Sequence, residues 1–575
     1  MSDLVIGTKR PSTPRTVRGV AIATLVVLVA LMVTYFIYQR VVSYAMPGGS
    51  VSGSPLLVDS IESGLIDAKL SFDDSAMSYS GRITVLQLVG DPHTLGASQG
   101  RLLGDSVSDV SRSVSPTIEH IVSKSGMFGA TTYQARLRWR LRHLDNGIPG
   151  HQLKETAGVV RGTRRTAGDA PSYESFVRQQ AFLDIGAAVP WSSGHAFRAV
   201  ARSLSFVTTL RNVRGDRLIV GRSFGLPGTA DGGEATAKRV VVSFVHPKGV
   251  TPYATVAWPG MVGVVSGINA HKIAVMVHPV RTADIKVSRK AQPIALLARD
   301  ILENAHTLDE AIKILEHNEP LGAAAFVIVD GNARQWAVVD RSPGQVAVTR
   351  KPRVRVVTDL LRGEAFKDDA ENDRARRTRP SLMRARRTAK LLRAQAPKTP
   401  LEAVAILRDA KAVDGSQLPL GHRAAVQDLS ASHTALFDAS AMVLWVCEGP
   451  GASGRFRAFD LKHFLRKEGA PPTAPADLPA DKDFDASAGR AVLEARAYLR
   501  KARRLWRDGE RRRPRELVQR ALARSPDLPE ALRMAGDYAR KRKDRKTAHK
   551  YYQRYLQRGP DDLAAAEEIK ALLRN

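Results

Sequence analysis

Two serines in Arg202-Ser-Leu-Ser-Phe206 carry the first candidate chemistry in this chain. A serine hydroxyl attacks a carbonyl only when a base takes its proton. Ser205, two residues on from Ser203, is the lesser candidate should the register be off by two. Gly221-Arg-Ser-Phe-Gly225 follows and supplies Arg222. His93, His246, His271, His278 and His433 are scattered without metal-ligand spacing, so no metal and no cofactor is expected. No Gly-x-Ser-x-Gly elbow anchors a serine–histidine–aspartate triad, which stays open as an arrangement. Cys447 ends the apolar run Ala441-Met-Val-Leu-Trp-Val-Cys447 and reads as a small buried hydrophobe. As the single cysteine, it makes no intrachain disulfide. On the residues alone, Ser203 is either an ordinary strand hydroxyl or a nucleophile, with Ser205 as the second candidate.

The elements that must position these groups follow from length and patterning. The chain has 575 residues, enough for two or three domains, with a globular balance of 43% hydrophobic and 25% charged residues. Its formal net charge is +30, an arginine excess spread along helix-like segments. No helix-turn-helix, zinc-finger or aromatic RNA-binding signature accompanies it, and no nucleic-acid partner is expected.

Gly19–Tyr38 is free of charge over 20 residues. As a helix it rises about 30 Å, enough to cross a bilayer core. Lys9, Arg10, Arg15 and Arg18 precede it, whereas Asp59, Glu62 and Asp67 follow. The positive-inside rule then leaves the N-terminus cytoplasmic and the bulk of the chain extracytoplasmic. A cleaved signal peptide is the alternative, but its apolar core would usually be shorter.

Residues 1–18 read as a cytoplasmic basic tail, 19–38 as a transmembrane signal anchor, 39–80 as a linker and 81–468 as the main domain. Ordered patterning starts with the strand-like Arg82–Val89. Gly96 and Gly100 then lie four apart, a spacing that lets two helices approach closely. Strand-like runs dominate from Arg198 to Val348, with helices over Gln292–Asn304 and Leu308–His317. Thr307 and Glu310 form a capping box for the second. Residues 469–487 are a proline-rich linker. Beyond it, 488–575 is helical and basic, with Pro526 and Pro560 at a 34-residue period. Gly536, Ala548, Tyr552 and Tyr555 fit the small and aromatic positions of a tetratricopeptide repeat, a scaffold for a protein or peptide partner.

Several segments, in order, resemble the acyl-coenzyme A:6-aminopenicillanic-acid acyltransferase family of N-terminal-nucleophile (Ntn) hydrolases. They are Gly90–Leu103, Trp258-Pro-Gly-Met-Val-Gly-Val-Val-Ser-Gly-Ile-Asn269, Thr307–Leu315, Ala325–Val346, Leu444–Pro450 and Phe456–Leu461. The resemblance spans about residues 83–465. It implies an α+β fold, the αββα four-layer sandwich, preceded here by one transmembrane helix and followed by the repeat-like tail. It also implies acyl transfer or amide hydrolysis after self-cleavage. The freed α-amine of the nucleophile then serves as base. Carried over by position, the catalytic residues are Ser203 as nucleophile, Asn269 as oxyanion donor and Arg222 from the Gly-Arg motif.

The chain departs from that pattern. Ser203 replaces a cysteine, and Ser223 and Gly225 replace an asparagine and an aspartate. Asp359, in Val356-Val-Thr-Asp-Leu-Leu361, stands where an asparagine–histidine pair begins. Two functions follow as expectations. One is a membrane-anchored extracytoplasmic acyltransferase or amidohydrolase, acting on a small-molecule acyl or amide substrate through Ser203. The other is a catalytically silent Ntn-fold binding module that recruits a partner through its tail.

Overall fold

The computed structural model describes residues 15–57, 68–122, 135, 138–139, 141–184, 202–211, 215–226, 240–284, 288–352, 355–466 and 475–574. The first 14 residues of the basic tail, Ala201 and residues 469–474 of the proline-rich linker lie outside the described residues.

The chain opens with helix α1 (Arg15–Val42), strands β1 (Ala68–Phe72), β2 (Ser75–Ser80) and β3 (Ile83–Gly90), and helices α2 (Pro92–Val122), α3 (Gly150–Thr166) and α4 (Tyr173–Gln180). Six strands follow: β4 (Arg202–Leu210), β5 (Arg217–Gly225), β6 (Val241–Pro247), β7 (Tyr253–Ala257), β8 (Ser266–Asn269) and β9 (Ile273–Val280). Helices α5 (Ile294–Asn304) and α6 (Leu308–His317) precede β10 (Ala323–Asp330), β11 (Gln335–Arg341), β12 (Val346–Arg350) and β13 (Val356–Thr358). Then come α7 (Ala370–Thr378), α8 (Ser381–Ala394), α9 (Pro400–Leu407), β14 (His433–Asp438), β15 (Val443–Cys447), β16 (Phe456–Asp460) and α10 (Leu461–Arg466). The tail holds α11 (Ala486–Arg507), α12 (Arg512–Arg524), α13 (Pro529–Lys541), α14 (Arg545–Gln557) and α15 (Leu563–Arg574).

The strands form a ten-stranded sheet, ordered β1-β2-β3-β6-β7-β8-β9-β10-β11-β12, and a six-stranded sheet, β13-β4-β5-β14-β15-β16. Apolar side chains of both parities are buried along these strands, because each sheet has cover on both faces. In β9, Val275 and Val277 join a cluster with Leu95, Val159, Leu297 and Ile312 from α2, α3, α5 and α6. Their neighbours Ala274 and Met276 point the other way, into a cluster with Val207, Val220 and Phe437 of the smaller sheet. Leu204, Phe206 and Ile219 of that sheet pack outward on Val404 and Leu407 of α9. The two-residue strand period therefore decides which groups of β4, β5 and β9 meet between the sheets.

Gly96 and Gly100 do serve a close helix contact. A Cβ on Gly100 would lie 2.4 Å from the Val159 carbonyl oxygen, and one on Gly96 would lie 1.9 Å from that of Glu155. Gly158 and Gly162 of α3 answer them, at 2.3 Å from the His93 oxygen and 2.4 Å from the Ala97 oxygen. Backbone cannot yield as a flexible side chain can. Gly100→Ala is therefore expected to destabilise the fold by about 3 kcal/mol, the upper end of overpacking costs. A lowered urea midpoint at unchanged slope checks this.

The capping of α6 is as read, with one refinement. Thr307 Oγ1 accepts from the Glu310 amide at 3.2 Å, but the Glu310 carboxylate accepts from His306 N–H at 2.7 Å, one residue before the cap. Cys447 is buried at the end of β15. The stretch read as a linker differs from the reading. It contains β1 and β2, and Tyr44 and Val51 are buried ahead of them. The Tyr44 hydroxyl donates to the Leu141 carbonyl at 2.6 Å. Strands of five and six residues rich in serine carry too little apolar alternation to announce themselves.

Over Gly19–Val42, α1 is long and apolar enough to cross a membrane. Leu25, Leu28, Leu31 and Phe36 are 57–64% exposed on it. In the tail, α11–α15 share their own cluster, which includes Ala548, Tyr552 and Tyr555. Gly536 leaves room for the Tyr552 ring, 2.5 Å from where a Cβ would be. The tail rests on the main domain, where Arg496 Nη1 donates to Ser430 Oγ at 2.6 Å.

Candidate functional site

Strands β4 and β5 pair antiparallel, with Ser205 directly opposite Arg222 and Ser203 opposite Phe224. Alternation turns Leu204 and Phe206 outward to the helices and the two serines inward to the larger sheet. There the serines meet His278 of β9. Ser203 Oγ lies 2.9 Å from His278 Nδ1, and Ser205 Oγ lies 2.9 Å from Nε2. Arg222 joins them through Nη1, 3.2 Å from Ser205 Oγ and 3.0 Å from His278 Nε2. Its Nε donates to Ser266 Oγ at 3.1 Å, and its Nη2 to the Val277 and Val265 carbonyls at 2.5 and 3.3 Å.

The direction of the hydrogen bonds follows from the donor inventory. A guanidinium can only donate. Arg222 Nη1 lies nearer Nε2, at 3.0 Å, than Nδ1, at 3.4 Å, so we assign Nε2 as the acceptor and the ring proton to Nδ1. The relay then runs from Arg222 to Ser205, from Ser205 to His278, and from His278 Nδ1–H to Ser203 Oγ. In this arrangement His278 stabilises negative charge on Ser203 but does not take its proton. Ser203 still needs a base.

The electrostatics agree. His278 is fully buried, and burial together with the Arg222 charge holds its pKa well below the usual value, so the ring is neutral. Burial alone brings Arg222 down to about 9. Among the described residues no carboxylate pairs with it, so its charge is uncompensated between the sheets. The Phe224 face, 4.9 Å from the guanidinium carbon, offsets part of that cost. Phe224 in turn stacks on His433 at 5.4 Å, and His433 Nε2 meets Ser266 Oγ at 2.9 Å.

The structure brings Ser203 and Arg222 into one network and places Asn269 outside it. Ser266 faces the second sheet, and three residues along β8 the parity is reversed, so Asn269 faces α5. Its amide donates to the Leu302 and Ala305 carbonyls at 3.0 and 2.8 Å, and its oxygen accepts from the His271 and Ile273 amides. Its amide is committed to the C-terminal end of α5 and its oxygen to the β8–β9 turn. Asp359 is buried against Arg379 at 3.4 Å and Arg384 at 3.5 Å.

Sequence reasoning missed two groups. One is His278, which looked like one of several scattered histidines; only sheet packing carries it to Ser203. The other is Asp428, from the segment before β14. A Cβ on Gly225 would lie 3.6 Å from Asp428 Oδ2 and 3.4 Å from the Arg202 carbonyl oxygen. A carboxylate thus stands beside the position where the resemblance expects an aspartate, supplied by a different part of the chain. Arg202 binds it at 3.2 Å. Burial works against its charge, but Arg202, Arg496 and Arg384 outweigh burial and hold Asp428 below the usual carboxylate range.

Among the described residues, one trio has ligand atoms close enough for a metal. His151, Asp300 and Glu303 lie within 4.8 Å of one another on α3 and α5. Arg299 already bonds Glu303 there at 2.8 Å, a cation that opposes a second one.

The model of the acyl-coenzyme A:6-aminopenicillanic acid acyl-transferase family matches residues 229–452. No curated protein matches the chain. Among solved structures it is similar to the Caenorhabditis elegans ortholog of N-acylethanolamine-hydrolyzing acid amidase, at 15% identity over 41% of this chain and 93% of that one, with a TM-score of 0.29. A mutant of conjugated bile acid hydrolase from Clostridium perfringens aligns at 11% identity over 47% and 93%, with a TM-score of 0.29. Another variant of that hydrolase aligns at 11% identity over 47% and 86%, with a TM-score of 0.26. Ser203 and Arg222 lie upstream of the family match, whereas Asn269 and Asp359 lie within it. The matched segment, residues 229–452, is similar to the same family that the motifs resemble.

Proposed function

We propose that the chain is a membrane-anchored acyltransferase or amide hydrolase of the Ntn type, with Ser203 as its nucleophile. The carrying observation is the 2.9 Å contact between Ser203 Oγ and the neutral, buried His278. His278 and Arg222 supply a prebuilt electrostatic setting for an alkoxide but no base. The remaining base is an α-amine on Ser203 itself. Its release requires a cut between Arg202 and Ser203. Ser203 Oγ adds to the Arg202 carbonyl carbon, the hydroxyl proton passes to the departing Ser203 nitrogen, the Arg202–Ser203 C–N bond breaks, and the acyl group moves to oxygen. Water then hydrolyses the ester, leaving an Arg202 carboxylate and a free Ser203 amine. Asp428, beside the Arg202 carbonyl, is placed to hold that amine.

The αββα arrangement is the scaffold in this reading, supported by the apolar clusters on both faces of each sheet. Anchoring through α1, with the N-terminus cytoplasmic and the rest exported, is supported by its apolar surface and the basic residues before it. The tail is read as tetratricopeptide-like, supported by the Gly536–Tyr552 fit, and as a docking site for a protein or peptide.

The second reading, a catalytically silent binding module, is favoured by Asn269, whose amide is committed to the C-terminal end of α5, and by Asp359, an anion where a neutral donor is expected. Intact-mass measurement and N-terminal sequencing separate the two. The enzyme reading expects two fragments, the second starting at Ser203. A single uncut chain overturns it.

A further inference from the structure

Between the main domain and the tail lies a cavity of about 750 Å³, in the range of small-molecule sites. Its wall carries eight arginines against three carboxylates. Arg202, Arg379 and Arg423 come from the main domain; Arg496, Arg500 and Arg503 come from α11. Asp428 and Asp561 stand behind the wall, 3.2 Å from Arg202 and 3.6 Å from Arg423. Counting both, the eight lining arginines stand near five carboxylates. Crowded like charges in a half-enclosed space repel one another, and an anion would relieve that repulsion.

A second observation concerns two residues of its wall. His433 and Thr434 line the cavity and are each 2% exposed. His433 Nδ1 and Thr434 Oγ1 have no hydrogen-bond partner among the described residues. Buried polar atoms are ordinarily satisfied, and an unpartnered one on a cavity wall marks room for a polar ligand. Leu226, Val240 and Leu429 give the wall an apolar side as well.

We propose that this cavity binds a phosphate-bearing anion, gripped jointly by the main domain and α11. Guanidinium forks match phosphate oxygens in pairs, and a phosphomonoester or diphosphate carries the multiple charge that a single carboxylate lacks. The α11 arginines lie beyond the segment matched to the family, so the site belongs to the way this chain joins its two parts. It does not depend on Ser203 being a nucleophile.

Calorimetric titration of the full chain in detergent, with inorganic pyrophosphate as the probe, tests this. Saturable binding is expected, weakened at least tenfold in the double variant Arg490→Gln/Arg500→Gln. Both side chains reach solvent, so their loss leaves no sealed void. Arg500→Lys keeps the charge and loses the fork; it should bind a few-fold more weakly at an unchanged Tm. Hexyl phosphate binding tighter than ethyl phosphate would identify a lipid-like ligand, and equal binding a free phosphate; both support the site. The proposal is overturned if pyrophosphate does not saturate, or if the double variant binds it as the parent does at an unchanged Tm.

Discussion

Ser203→Ala is expected to leave the chain in one piece and to lower any acyl-transfer or amide-hydrolysis rate by about 10³-fold or more. The parent should show a fragment beginning at residue 203. Ser203→Cys should still cleave, because a thiol is the better nucleophile in the same place. Ser205→Ala should cleave too, but about 10- to 100-fold more slowly. It removes the middle of the relay that sets the His278 proton, while the nucleophile stays. Time-resolved gel electrophoresis of newly made protein reads all three. Were Ser205→Ala to stop cleavage while Ser203→Ala did not, Ser205 would be the nucleophile and the relay would run the other way.

The second large effect concerns stability against pH, through Asp184. This carboxylate is fully buried just after α4 and accepts from the Ile294 amide at 3.0 Å, at the start of α5. Burial dominates over the hydrogen bonds from Ile294 and Gly322, and pushes its pKa up to about 8. Below about pH 4 the folded and unfolded chains both hold the proton. Between about 4 and 8 the unfolded chain has released it and the folded chain has not, so each pH unit removes about 1.4 kcal/mol of stability. Across that window the loss is on the order of 5 kcal/mol. Asp184→Asn keeps an acceptor for Ile294 and cannot ionise. The variant should unfold at nearly constant denaturant concentration from pH 5 to 8, whereas the parent weakens steadily. Parallel curves for the two proteins would rule Asp184 out as the source.

How much was legible in the sequence depends on the range of the interaction. Thr307 and Glu310 cap α6 through contacts within one turn, so residue order sufficed, and only the partner of Glu310 moved by one position. Gly96 and Gly100 could be read as a close-packing face because helix period alone puts them on one side. Their answering pair in α3, Gly158 and Gly162, lies across a stretch without such a signal. β1 and β2 were lost in what read as linker, since short serine-rich strands gain their stability from neighbours and not from their own pattern.

At the site the division is sharper. Sequence alone determined that Ser203 and Arg222 belong together, because they sit in adjoining motifs on strands that pair at once. It also determined the apolar character of α1, the family motifs and the repeat period of the tail, all properties of local order. Only the tertiary structure decided which histidine meets Ser203 and which carboxylate stands beside Gly225. His278 arrives from a strand and Asp428 from the segment before β14, 75 and 226 residues away from their partners. It also decided that Asn269, matched by motif, spends its amide on the end of α5. One residue of strand parity separates a side chain facing the second sheet from one facing a helix, and motif spacing does not register which neighbour waits on each side.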